Sequence, residues 1–227
     1  MTGDAGMSDL TTAEQEYIRG AVPARVGEFA AARVCARQAV NRIRGTAGGV
    51  SVQVVDLVPG PDRDVPWPRG TVGSMTHCPG LRAAVVAPAT DVLGIGIDAE
   101  VNAPLPEDSW GVVSVPGEAE MLADLGERAD VHVDRLLFSA KESIFKAWFP
   151  LTRRWLDFTG CRLTVRMDRV GTDGDTAADE SGTFRGDFLV PGFEVTGHRR
   201  HPEQVTGLEG RWCVAGNHLL TAVSIGT

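Results

Sequence analysis

Hydrophobic positions recur along this chain with two periods, one helical and one strand-like, and the two alternate in short segments. From Pro23 to about Arg44, Val26, Phe29, Ala30, Ala36, Val40 and Ile43 return near helical spacing before Gly45, which predicts a helix unusually rich in arginine. Val50 to Val58 predicts a strand, and a Pro- and Gly-rich loop from Pro59 to Gly70, containing Trp67, follows it. Leu81 to Ala87 and Val92 to Val101 predict two more strands joined by a short turn at Pro88 to Asp91, most simply an antiparallel hairpin.

Two prolines interrupt the pattern between Asn102 and Pro106, and the chain divides there into halves, 1–102 and 103–227. The second half predicts a helix over Gly117 to Leu125 and a stronger one over Asp134 to Phe149 that stops at Pro150. Strand patterns return at Cys161 to Met167, Thr183 to Val190 and Trp212 to Ile225, the first two separated by a Gly-, Asp- and Ala-rich loop at Gly171 to Gly182. Each half holds helix plus antiparallel strands, an α+β arrangement, and no sequence repeat relates them.

Composition narrows the function classes. With 227 residues, 43% of them hydrophobic, the chain can bury a core as one large domain or two modest ones. A formal net charge of -8 argues against general affinity for nucleic acid or anionic membranes, so any anion site must be local. The first residues, MTGDAGMSDLTTAEQ, lack a basic start followed by an apolar run, and no eighteen apolar residues run together, so a soluble cytoplasmic protein is expected. Cys35, Cys78, Cys161 and Cys213 are too widely spaced for a zinc site or a dense disulfide framework and are expected to be buried free thiols.

Candidate chemistry lies on four segments. In Val92 to Val101, alternation places Leu93, Ile95, Ile97, Ala99 and Val101 on one face and Gly94, Gly96, Asp98 and Glu100 on the other. The two glycines leave the acidic face bare enough for a ligand to approach. Two carboxylates about 7 Å apart on one strand repel unless a cation or hydrogen bonds compensate them, and such oxygen ligands suit magnesium. A dinucleotide fingerprint starting at Gly94 fails for want of its third glycine.

On the Asp134–Phe149 helix, Leu137, Ala140, Ile144 and Trp148 form the apolar arc, and Glu142 and Lys146 lie opposite, one turn apart. Lys141 borders the arc and either snorkels past the core edge or meets a bound anion. Gly73 to Cys78 reads as a tight turn whose small hydroxyls and His77 suit a phosphate; the G-x-S-x-G elbow of serine hydrolases is absent. Arg25 and Arg33, about two helical turns apart, can lean toward one polyanion, while Arg37 and Arg42 read as a solvated basic face.

In order and spacing, four motifs resemble the 4'-phosphopantetheinyl transferases of the surfactin and enterobactin type, particularly the actinobacterial enzymes. They are Arg25-x-x-Glu28-Phe29-x-x-x-Arg33-x-Cys35-Ala36-Arg37, Val72 to Cys78, Gly96-Ile97-Asp98-Ala99-Glu100, and Phe138 to Pro150, together spanning about Arg25 to Trp155. The resemblance implies two similar α+β halves related by a pseudo-twofold axis, each with a small antiparallel sheet packed on helices. It also implies transfer of the phosphopantetheine arm of coenzyme A to a serine of acyl or peptidyl carrier proteins, with Mg2+ as cofactor. By motif matching, Asp98, Glu100 and Glu142 serve the metal with Ala99 adjoining it; Arg25, Arg33, Thr76, His77 and Lys146 hold coenzyme A phosphates; and Trp155 makes a further contact. Glu142 is implied as metal ligand, base or both, and a monomer suffices for one site. One departure is the loop Pro59 to Trp67, which lacks the lysine of the related enzymes and offers Arg63 at a shifted position.

Overall fold

A helix carrying Leu137, Ala140, Ile144 and Trp148 on one side must lay that side on another apolar surface, and here the surface is an antiparallel sheet. The structure, a computed structural model, describes residues 5–46, 55–62, 64–126, 130–168, 180–195 and 203–227. The helices are α1 (Thr12–Tyr17), α2 (Pro23–Thr46), α3 (Trp110–Val113), α4 (Glu118–Gly126) and α5 (Val133–Thr152). The strands are β1 (Thr71–Cys78), β2 (Leu81–Pro88), β3 (Val92–Val101), β4 (Cys161–Met167), β5 (Ser181–Phe188), β6 (Phe193–Val195), β7 (Glu203–Val205), β8 (Gly207–Ala215) and β9 (His218–Gly226). The architecture is α+β, with small antiparallel sheets. No described helix is long and apolar enough to cross a membrane.

A five-stranded sheet in the order β3-β9-β8-β5-β4 carries α5 across one face, and α2 lies on a separate hairpin of β1 and β2. On α5 the buried Leu137, Ala140, Ile144 and Trp148 meet Leu163, Phe184, Trp212 and Leu219 of the sheet in one core. Helix α2 packs on β1 and β2, whereas β3, the next strand, is hydrogen-bonded into the five-stranded sheet. The α2 hairpin and the α5 sheet therefore meet at β3.

Several sequence expectations change here. The expected β2–β3 hairpin does not form: β2 pairs with β1 through a Pro79-Gly80 turn, where Gly80 has φ 84°, and β3 pairs with β9. A two-residue loop with glycine at positive φ closes a tight hairpin, and β3, whose middle is buried on both faces, takes a place between helix and sheet. Residues 73–78, expected as a turn, are strand β1. The run expected from Trp212 to Ile225 is two strands, β8 and β9, folded back at Gly216, which has φ 60°. The long helix passes Pro150 and ends at Thr152, because a proline in the last turn removes only one late hydrogen bond; Arg153, at φ 55°, then turns the chain away. Of the expected Val50–Val58 strand, residues 50–54 lie outside the described residues and residues 55–58 are not strand, while β5 begins at Ser181 inside the expected loop.

The glycines of β3 also have a different purpose from the one expected. A Cβ at Gly96 would overlap the Ser143 carbonyl oxygen, and one at Gly94 would lie 3.1 Å from the Ala147 carbonyl oxygen. The bare strip receives the backbone of α5, which presses directly on the strand.

On its other edge β3 meets β1 without a backbone ladder. Instead, the Ser74 Oγ accepts from the Ile97 amide at 3.1 Å and the Thr76 Oγ1 from the Ala99 amide at 3.1 Å. The N-terminal segment is fastened separately. Thr11 and Glu14 form a reciprocal cap on α1, and the fully buried Glu14 also accepts from the Leu57 amide and from Arg37 at 2.8 Å. Arg37 is thus a structural tie of the N-terminus and not part of a solvated face.

Lys141 neither snorkels nor reaches an anion. Its side chain is 2% exposed, and its ammonium donates to the Val113 carbonyl at 2.8 Å, the Phe158 carbonyl at 2.9 Å and Glu118 Oε2 at 3.0 Å, which uses all three protons. Glu118 in turn accepts from the Val115 and Leu163 amides. This knot joins α3, α4, α5, β4 and the turns between them.

Two stability predictions follow from these contacts. Gly96→Ala is expected to cost roughly 3 kcal/mol or more, because neither backbone can yield without parting α5 from β3; the urea midpoint measures it, with Gly216→Ala as a milder comparison. Lys141→Met, which strands Glu118 in the core without its cation, is expected to cost about 3–5 kcal/mol in the same measurement.

Candidate active site

A cavity of about 600 Å3 lies between α2, the loop before β1, strands β1 and β3, and α5. Arg25, Arg33, Thr76, His77, Asp98, Glu100, Glu142, Lys146 and Trp155 all line it, so residues 130 positions apart in sequence share one space. Ala99 is the exception among the expected site residues: it is fully buried, and its amide is bonded to Thr76. Arg63 lies outside the described residues, while Asp62, Asp64 and Trp67 of the same loop line the cavity.

Asp98 is at the centre, 5% exposed and surrounded by donors. Lys146 Nζ donates to Oδ1 at 2.7 Å, Thr76 Oγ1 to the same oxygen at 3.2 Å, and Ser139 Oγ to Oδ2 at 2.8 Å. Lys146 also donates to the Ile97 carbonyl at 3.2 Å, which fixes it beside β3. Glu100 pairs with Arg135 at 3.0 Å. Burial raises its pKa above the ordinary carboxylate value, the Asp98 charge adds to this, and Arg135 opposes it. Burial likewise raises Glu142; Lys146 counters this, and Asp98 reinforces it.

The opposite wall is cationic. Arg33 Nε donates to the Leu57 carbonyl at 3.2 Å, and its guanidinium lies 3.5 Å from the centre of the Phe29 ring. Burial pushes its pKa down to about 10, which leaves it charged at neutral pH. Arg25 Nη1 lies 3.1 Å from His77 Nε2 and 3.4 Å from Glu28. A guanidinium can only donate, so His77 accepts at Nε2 and is neutral, although Glu28 lies 3.6 Å from the same atom. Burial lowers the His77 pKa below its ordinary value, consistent with that assignment. Trp155, 72% exposed, stands edge-on to Phe145 at the mouth, and Asp64 of the Pro-rich loop pairs with Arg153.

Arg25, Arg33 and Lys146 facing Asp98, Glu100 and Glu142 suit a polyanion bridged to a divalent cation. Among the described residues, no three His, Cys, Asp or Glu side chains draw together as a ready metal cage. Magnesium does not require one, since it is commonly held by one or two carboxylates, waters and substrate phosphate, and the paired carboxylates of β3 beside Glu142 fit that habit. Ser139 and Arg135 escaped the sequence reading. The available signal was their spacing ahead of Glu142 and Lys146 on α5, the same face of the same helix.

Comparisons with known proteins identify the family. Residues 13–87 match the 4'-phosphopantetheinyl transferase N-terminal domain, and residues 94–183 match the 4'-phosphopantetheinyl transferase superfamily. The chain is 45% identical over 223 residues to the 4'-phosphopantetheinyl transferase Svp of Streptomyces mobaraensis, covering 98% of this chain and 81% of that protein. It is 40% identical to Npt of Nocardia iowensis over 93% of this chain and 87% of that one, and 36% identical to PptT of Mycobacterium tuberculosis over 92% and 83%. With one family model matching residues 13–87, another matching 94–183, and relatives 36–45% identical over 92–98% of its length, the chain belongs to the 4'-phosphopantetheinyl transferase superfamily.

Proposed function

We propose that this transferase moves the 4'-phosphopantetheine arm of coenzyme A onto a serine of acyl or peptidyl carrier domains in a magnesium-dependent reaction. The observation that carries the reading is the meeting of Asp98, Glu142 and Lys146 with Arg25, Arg33 and His77 in one cavity. The first half, 1–102, contributes the arginines, His77 and the strand acids; the second, 103–227, contributes Glu142 and Lys146. Every group comes from one chain, so a monomer suffices.

In the reaction the carrier serine oxygen forms a bond to the β-phosphorus of coenzyme A, and the bond to the α-phosphate side breaks, releasing adenosine 3',5'-bisphosphate. Asp98 and Glu100, with Glu142 beside them, would hold magnesium, which neutralises charge on the pyrophosphate when bound. Arg25, Arg33 and His77 bind phosphate groups, and Lys146 leaves Asp98 to balance the negative charge that grows on the departing bisphosphate. Glu142 holds the serine hydroxyl and receives its proton, directly or through water, and the burial that raises its pKa makes it the better acceptor. Trp155 and Phe145 offer apolar surface at the mouth.

Incubation of a carrier protein with coenzyme A, magnesium and the enzyme is expected to add about 340 Da, the mass of the transferred arm, a group the cofactor carries ready-made. Asp98→Ala, with folding verified, is expected to slow this at least about a hundredfold. Consumption of coenzyme A with no carrier adduct would indicate a pyrophosphohydrolase instead.

A second expectation concerns protons. His77 is neutral in the free chain with its pKa held below 6.5, and a phosphate placed against it favours the imidazolium. Coenzyme A binding near pH 6.5 is therefore expected to take up protons. Calorimetry in buffers of different ionisation enthalpy reads this directly, and His77→Gln is expected to lose that share of the uptake.

A further inference from the structure

Glu142 and Lys146 belong to a longer stripe. Arg135, Ser139, Glu142 and Lys146 fall on one face of α5, and three of them touch the β3 acids: Arg135 reaches Glu100, and Ser139 and Lys146 reach Asp98. Each acid thus has one oxygen engaged by a residue from the N-terminal part of the stripe. Glu100 Oε2 takes Arg135 Nη1 at 3.0 Å, and Asp98 Oδ2 takes the Ser139 hydroxyl at 2.8 Å.

Neither donor is loose. Arg135 spends its remaining nitrogens on the carbonyls of Ala103 at 3.0 Å and Pro104 at 2.9 Å, so its guanidinium is held in the segment that follows β3. Ser139 is fully buried. Its hydroxyl lies 3.0 Å from that of Thr221, the cross-strand partner of Asp98, and the Thr221 hydroxyl donates to the Ser139 carbonyl at 2.9 Å. With the threonine proton committed there, the serine proton goes to the carboxylate. The oxygens not taken by these two residues are Glu100 Oε1 and Asp98 Oδ1, the second of which carries Lys146 at 2.7 Å and the Thr76 hydroxyl at 3.2 Å.

We propose that Arg135 and Ser139 are positioning residues of the metal site: each holds one oxygen of a β3 acid so that the other is presented to a divalent cation. This rests on the assignment of Asp98 and Glu100 as the metal-holding acids. A purely structural role predicts lower stability with unchanged metal affinity; a positioning role predicts weaker metal binding in a chain that remains folded, and a fall in kcat with little change in KM for coenzyme A.

The test is Mn2+ binding to the intact chain without coenzyme A, read from the loss of the free-ion paramagnetic signal, with thermal unfolding recorded for every variant. Ser139→Ala and Arg135→Gln are each expected to weaken Mn2+ binding about tenfold, the scale of a lost hydrogen bond to a charged group. Arg135→Lys, which keeps the charge and loses the fork, is expected to lie between Arg135→Gln and wild type, and it carries the test if a more drastic variant fails to fold. If Asp98→Asn abolishes Mn2+ binding while the folded Ser139 and Arg135 variants bind within about twofold of wild type, the positioning role is wrong and the acid assignment stands. If Asp98→Asn binds Mn2+ as wild type does, the acid assignment is wrong and the positioning role falls with it; if the wild-type chain binds no Mn2+ without coenzyme A, there is no preformed metal site for Arg135 and Ser139 to position, and the positioning role alone is wrong.

Discussion

The contact of α5 with β3 at Gly96 is the constraint on which the site depends. Most helices rest on a sheet through side chains, which hold the two backbones apart. Here the absent Cβ of Gly96 lets the Ser143 carbonyl come against the strand itself. At that separation a serine hydroxyl and a lysine ammonium from the helix reach a carboxylate two residues along the strand from Gly96, with no water between. A larger gap would have required longer side chains or solvent bridges, and either loosens the geometry that group transfer needs.

The same closeness decides the electrostatics. Asp98, Glu100 and Glu142, gathered on one cavity, would repel one another, and the chain compensates by giving Asp98 a lysine and two hydroxyls and Glu100 an arginine. Glu142 has no carboxylate-matched cation of its own among these pairs, shares Lys146 with Asp98 at longer range, and has its pKa raised chiefly by burial. The acids are therefore not equivalent: each acid on the strand accepts directly from a cationic side chain, and the one on the helix does not. Under the proposed function, that division would let one cavity hold a cation and receive a proton.

Much of this was legible in the chain itself, where elements state their own burial. Strand β4 alternates buried and exposed residues from Cys161 onward, and α5 shows its apolar arc without ambiguity. Strand β1 was not legible, because Ser74, Thr76 and His77 do not alternate by hydropathy; two of their side chains are spent on the neighbouring strand. Pairing was hidden for a different reason. The partner of β3 is β9, more than a hundred residues on, and no local turn announces it. Lys141 and Arg37 were misplaced because a charge can be buried only beside its partner, and Glu118 and Glu14 each lie 23 residues away. The site residues themselves were readable because spacing on one strand and one helix fixes which of them share a face, and that much is local.

The hydroxyls of Ser74 and Thr76 have one more consequence. Strand β3 is the last strand of its sheet, and an uncovered row of amides and carbonyls at such a border is a template on which another chain can add itself. Two small side chains fill the outward amides of Ile97 and Ala99 without building a sixth strand. The border is thereby closed to intruding chains, yet it stays free of the rigid ladder that would have sealed the acid-bearing strand away from its cavity.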